Sequence, residues 1–204
     1  IYGDTITLPE ATTNFGEVEV TKSDMVNVGT YTVTYTVEGT DNYDGDSKEV
    51  KVIISPLAVN EPTVTGTYVY TGLEQTVELT GVESYMTIDV VSVLKGTNVG
   101  EYKVIVELDN NHVWAEGSDG EITWSITKAT HDMSGISFND VTVKYDGIEH
   151  VIEITGTLPE GVTVTYTKNK GTNAGVYNAV ATFTYDEVNY NTISEMNAVL
   201  TINK

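Results

Sequence analysis

Carboxylates dominate the side chains of this sequence that could do chemistry. Thirty Asp and Glu stand against ten basic residues, every one of them Lys, for a formal net charge of −20. Acidic and amide residues cluster at Asp41-Asn42, Asp109-Asn110-Asn111 and Asp186-Glu187. Hard oxygens gathered at a turn could hold Ca²⁺, although none of the three has the spacing of a calcium loop. Asp and Asn also favour turns for a local reason, because their side chains bond the nearby backbone. An aromatic ring follows each cluster (Tyr43, His112, Tyr190) and is expected to seal one end of the fold. Trp114, in the polar stretch "NNHVWAEGS", is the one candidate ligand-binding residue. An exposed indole there would stack on a sugar ring; the competing reading is that it covers the edge of a core. Trp124 alternates with Ile122 and Ile126, which reads as a core face. His112, His131 and His150 are far apart, with no pair at metal-ligand spacing, and are expected on the surface or in turns.

Abundant carboxylates are not a catalytic dyad. Glu78 and Glu153 recur at matching positions beside Val77 and Ile152, which suits an outward strand face. No nucleophile elbow, P-loop or dinucleotide fingerprint is present, so no catalytic residue, cofactor-binding residue or metal ligand is assigned and no enzyme activity is expected. With no Cys, disulfides, thiolate metal sites and cysteine nucleophiles are excluded. So acidic a surface repels phosphate backbones and anionic lipid. No apolar run approaches the roughly 20 residues needed to span a bilayer. The chain opens at Ile1 without a charged and then apolar leader, which reads as a piece of something longer.

The elements that must position these residues are written three times. "KGTNVGEY" (Lys95 to Tyr102) and "KGTNAGVY" (Lys170 to Tyr177) are near copies, and "MVNVGTY" (Met25 to Tyr31) is a fainter one. Their glycines, Gly29, Gly100 and Gly175, are 71 and 75 residues apart. After each comes period-two alternation: Tyr31-Val33-Tyr35-Val37, Tyr102-Val104-Val106-Leu108 and Tyr177-Ala179-Ala181-Phe183. Alternation of that period is a half-buried β-strand. Upstream, "YTGLEQTVELTG" (Tyr70 to Gly81) matches "YDGIEHVIEITG" (Tyr145 to Gly156) in the same register. Each copy closes on another alternating strand: "EVKVIIS", "EITWSIT" and "AVLTIN". The boundaries fall near Pro56 and Ala129, giving copies at 1–56, 57–129 and 130–204, and the first has too few residues at its start for an opening strand.

Thr, Val, Ile and Tyr dominate, helical apolar spacing is missing, and Gly, Asn and Asp mark the turns; this is the pattern of sandwiches or barrels. A glycine turn, then Tyr, then an inward residue two further on is the spacing of an immunoglobulin F strand. Its tyrosine bonds back to the backbone at a corner. Tyr31, Tyr102 and Tyr177 are therefore assigned as structural corner tyrosines, with Val33, Val104 and Ala179 where antibody domains carry cysteine. The fold class expected is all-β, three Ig-like sandwiches in tandem.

"KYDGIEHVIEITG", "GTNAGVYNAVATFTYDEVNYN" and "AVLTINK" resemble the MBG-type and related bacterial Ig-like repeats of large cell-surface proteins. The resemblance is best in the third copy and weakest in the first. It implies a secreted, surface or wall-associated bacterial protein whose repeats act as a spacer, stalk or adhesive module, monomeric, with host or extracellular glycans or proteins as partners. The alternative is a glycan- or protein-binding module, or an accessory region of a secreted polysaccharide-active enzyme. Some bacterial Ig-like domains also crosslink a Lys to an Asn between first and last strands beside a buried acid; by analogy that trio is Lys144, Asn203 and Glu153.

Overall fold

The computed structural model describes all 204 residues, and nineteen strands account for its regular structure. The first copy holds β1 (Val18–Thr21), β2 (Gly29–Val37) and β3 (Asp46–Ile54). The second holds β4 (Leu57–Val59), β5 (Thr63–Thr65), β6 (Tyr68–Val69), β7 (Gln75–Thr76), β8 (Glu78–Thr80), β9 (Met86–Ile88), β10 (Lys95–Gly96), β11 (Gly100–Leu108), β12 (His112–Trp114) and β13 (Glu121–Thr127). The third holds β14 (Val141–Lys144), β15 (His150–Val151), β16 (Thr163–Thr167), β17 (Lys170–Gly171), β18 (Gly175–Thr184) and β19 (Met196–Asn203). The fold is all-β, and no helix is long and apolar enough to cross a membrane.

Two compact units partition the chain, and their limits do not follow the sequence copies. The first comprises Ile1–Thr65, Val77–Leu94 and Lys103–Trp124; the second comprises Gly66–Thr76, Lys95–Tyr102 and Ser125–Lys204.

In the first unit, β1, β2 and β3 form an antiparallel sheet, with Val18 opposite Val37 and Gly29 opposite Ile54. The alternation read from the sequence fixes its inner face: Val33 is fully buried and Tyr35 nearly so. No regular strand forms before Val18, and the layer opposite this sheet is an irregular segment. The Tyr35 hydroxyl anchors that segment by donating to the Pro9 carbonyl at 2.8 Å. The missing opening strand is reduced to one bond, from the Tyr2 N–H to the Ser55 carbonyl. Elsewhere in this unit β5 pairs with β8, β9 with the end of β11, and β4 runs parallel to β12. Trp124 is 2% exposed and its indole N–H donates to the Val93 carbonyl, so it is core, as its alternation indicated.

In the second unit, β14, β19, β18 and β16 form one sheet in that order, faced by the small β15–β17 pair and a bridge between Ser137 and Thr155. Two layers separated by side chains make a sandwich, because each sheet can bury only one face. Ala179, Ala198, Leu200 and Ile202 of the large sheet pack on Ile152, with Phe138 against them, while Ala181 and Phe183 pack on Val162. Within this four-stranded sheet pairing is antiparallel except between the first and last strands in chain order, β14 and β19, which run parallel. Also in this unit, β6 runs parallel to the end of β13, and β7 pairs with β10.

The register of β14 and β19 places Lys144 opposite Asn203, as the crosslink analogy requires. Lys144, Asn203 and Glu153 are, however, all exposed. Amide formation from such a pair needs a desolvated Lys and a protonated acid, and burial is what creates both. The backbone supplies the neighbours without the dry environment.

Candidate functional site

The recurring feature of the molecule is a joint, and it is built upward from the corner tyrosine. The Tyr31 hydroxyl donates to the Asn27 carbonyl at 2.7 Å, Tyr102 to Asn98 at 2.6 Å and Tyr177 to Asn173 at 2.9 Å. Each bond closes four residues of backbone into a tight arch. In the second unit the arch rests on a glycine. A Cβ on Gly96 would lie 2.6 Å from the Tyr102 ring, and one on Gly171 would run into Tyr177. The "Lys-Gly-Thr-Asn" spelling thus leaves space for a ring lying flat on backbone. Met25 occupies the corresponding place in the first copy, where no strand equivalent to β10 or β17 forms.

The residue before the anchor glycine is Val28, Val99 or Ala174, and the first two direct their amide N–H out of the arch to a side-chain acceptor. What meets it is an Asn on a turn. All three turns share one construction. A side-chain oxygen of the first turn residue accepts the Asn N–H, from Thr40 to Asn42, Asp109 to Asn111 and Asp186 to Asn189. The carbonyl of that same first residue accepts the N–H of the following aromatic, Tyr43, His112 or Tyr190. The carboxylate turns also have an electrostatic consequence. The His112 ring, hydrogen-bonded to Asp109, holds that carboxyl below its ordinary value, and the Asn189 amide does the same for Asp186.

Within the first unit, Asn111 Oδ1 accepts the Val28 N–H at 2.9 Å and its Nδ2 donates to Asn27 Oδ1 at 3.1 Å. The Asn111 carbonyl accepts the N–H of Leu57, at the start of β4. His112 stacks on Tyr85, ring centres 3.9 Å apart, and takes the edge of Tyr2 at 5.3 Å. Within the second unit the construction is repeated bond for bond. Asn189 Oδ1 accepts the Val99 N–H at 2.8 Å, Nδ2 lies 3.4 Å from Asn98 Oδ1, and the Asn189 carbonyl accepts the Ala129 N–H. Tyr190 stacks on His131 at 3.7 Å and takes the edge of Tyr70 at 5.4 Å. Asn189 is 6% exposed, the one buried polar residue, and its three partners account for that.

Tyr2 is therefore the counterpart of Tyr70, a match its spacing conceals. Tyr2, Tyr70 and Tyr145 each donate their N–H to the end of a closing strand, at Ser55, Thr127 and Asn203. The signal in the sequence was the Asn that precedes an aromatic in every turn, together with the Asn two residues before every anchor glycine.

The other candidate residues are placed otherwise. In the acidic turns Asp109 Oδ1 accepts the Asn111 N–H and both Asp186 oxygens accept bonds from Val188 and Asn189, and no group of three His, Cys, Asp or Glu converges to hold a metal. Trp114 is half-buried on β12, its ring against Gly120, where an added Cβ would lie 2.6 Å from the indole nitrogen. His112 and His131 are stacked in joints rather than idle on the surface, and His150 bonds Asp146. Glu78 and Glu153 are exposed, on outward faces. An open groove of about 340 Å³ lies over β2 and β3, where the irregular segment replaces a second sheet. Val18, Tyr35 and Val37 line it beside Glu10, Asp46 and Lys48, with no convergent polar set.

No family model matches the chain. No curated protein matches it either. Among solved structures, the chain is similar to a crystal structure of Drosophila N-cadherin EC1-4 at 9% identity and a TM-score of 0.26, over 85% of this chain. The chain spans 58% of that structure's length. A likeness at that level carries no argument about fold or function.

Proposed function

We propose that this chain is a non-catalytic structural spacer, a stalk-forming repeat region of a bacterial surface or secreted protein. The observation that carries the reading is the joint, made twice with the same bonds. A linker between independent domains needs no buried amide, paired main chain or stacked rings. A spacer needs them, because bending a joint fixed at several points breaks several interactions together. The strong negative charge supports the same role, keeping a repeat-rich surface soluble and self-repelling.

The cysteine-free sequence gives a direct test. Spin labels attached through Thr32→Cys and Thr87→Cys flank the first joint, on β2 and β9, at exposed positions. A narrow label-to-label distance distribution is expected, broadening in an Asn111→Ala background. A distribution already broad in the otherwise unaltered chain would refute a stiff joint and the spacer reading with it.

A further inference from the structure

The chain enters its second and third copies along strands that run parallel to strands further on in the same copy. At the start of the second copy β4 runs parallel to β12, and β6 then runs parallel to the end of β13. At the start of the third copy Ala129 makes a parallel bridge to Tyr190, and β14 then runs parallel to β19. The β14–β19 contact is the longest of these, setting Val141–Lys144 against Leu200–Asn203. It is pinned at both ends. The Asp140 carboxylate accepts the Val199 N–H at 2.7 Å, and the Asn203 carbonyl accepts the Tyr145 N–H at 2.8 Å. Leu200 is fully buried, Ile202 is nearly so, and Val143 packs against the core they help to form.

We propose that the β14–β19 pair is a shear clamp, which keeps the third copy folded when the chain is pulled along its length. The inference rests on the spacer reading, because a spacer is loaded through its two ends. Direction is what makes the clamp. Tension reaches β14 from its upstream end and leaves β19 from its downstream end. Adjacent parallel strands set those two ends at opposite ends of the pair, so the pull runs along the strands and across every ladder bond. The bonds are loaded together and must break together before any chain is released. An antiparallel pair of first and last strands would put both ends on one side and peel apart one bond at a time. Slipping by one residue gives no relief, because it turns Val143 out of the core.

With no Cys in the chain, two engineered cysteines define the direction of pull in a single-molecule force experiment on the whole protein. Asn139→Cys with Lys204→Cys, both at exposed positions, loads β14 and β19 from opposite ends. Asn139→Cys with Glu195→Cys, also exposed, grips the two strands at the same end and peels them. At one pulling rate the first pair should rupture at about twice the force of the second or more, since forced unfolding follows the unfolding rate along the pull. That rupture should lengthen the tether by roughly 200 Å, the extended reach of the 65 residues between the handles less their folded separation. Tyr145→Pro removes the N–H bonded to Asn203, and Asp140→Ala removes the carboxylate bonded to Val199. Each should speed unfolding under constant shear about fivefold, the worth of one hydrogen bond. Tyr145 lies at the far end of the peeled pair, so Tyr145→Pro should leave the peeling force unchanged. The two directions are compared without either variant, so the test stands even where proline impairs folding. Equal rupture forces in the two directions overturn the proposal, as does a shear force indifferent to both variants. Equal forces in a chain with a narrow spin-label distance would end the clamp and leave the stiff joint of the spacer reading standing.

Discussion

Asn189→Ala tests the joint at its most buried point. Asn189 Oδ1 is the acceptor for the Val99 N–H at 2.8 Å, in a side chain only 6% exposed. Alanine cannot accept that bond, and leaving a shielded amide unsatisfied costs about 1–3 kcal/mol. The 3.4 Å contact with Asn98 is too long to add much. The Asp186 carboxylate is exposed and regains water when Asn189 Nδ2 is lost, so it is left out of the sum. The expected loss is about 2 kcal/mol. Urea unfolding gives the global figure, and amide exchange at Val99 gives the local one, which matters because a chain of two units need not unfold in one step. Val99 should exchange about 30-fold faster, the factor that corresponds to about 2 kcal/mol. Asn189→Asp sharpens the test. It keeps an acceptor for Val99 but sets a carboxylate beside Asp186, so it should be as damaging as alanine at pH 7. Its stability should recover as acid neutralises the pair. A change under about 0.5 kcal/mol in Asn189→Ala, with Val99 exchange unaltered, would refute the claim that this residue holds the joint.

Three further outcomes follow from the geometry and the electrostatics of the turns. Gly96→Ala should destabilise by about 1–3 kcal/mol because its Cβ meets the Tyr102 ring at 2.6 Å, and Tyr102→Phe, which gives up the Asn98 bond but keeps the ring, should cost about 1 kcal/mol in the same urea titration. The lowered carboxyls of Asp109 and Asp186 make the folded state the weaker proton binder, so their contribution is complete above the unfolded aspartate value of roughly 3.9 and is lost as pH falls through the folded values. Urea midpoints measured between pH 5 and 2.5 should therefore fall more steeply in the wild type than in Asp186→Asn, whose turn has no proton to take up.

The Gly-x-Tyr strand was legible because two local rules agree in it. Alternation assigned Val33, Val104 and Ala179 inward, and the Gly–Tyr spacing announced the corner whose hydroxyl reaches back four residues. Trp124 was readable for the same reason, since a period of two needs only neighbouring residues. The joint was harder to see. Asn111 and Val28 are 83 residues apart, and Asn189 and Val99 are 90 apart. An Asn in a turn carries the same letter whether its side chain caps its own backbone or crosses to another copy. Tyr2 escaped alignment because the first copy lacks the strand that would have set its register.

By itself, then, the sequence determined the class of the fold, the three-fold repetition and the arch that each tyrosine closes, because all of these are written in short-range periodicity and spacing. Tertiary structure alone decided that the carboxylates of Asp109 and Asp186 bond within their own turns, and that the Trp114 indole packs beside Gly120. It also decided that Asn111 and Asn189 each reach the arch of the preceding copy. Those outcomes depend on which surfaces meet after folding, and contact between residues scores apart leaves no period for a sequence to display.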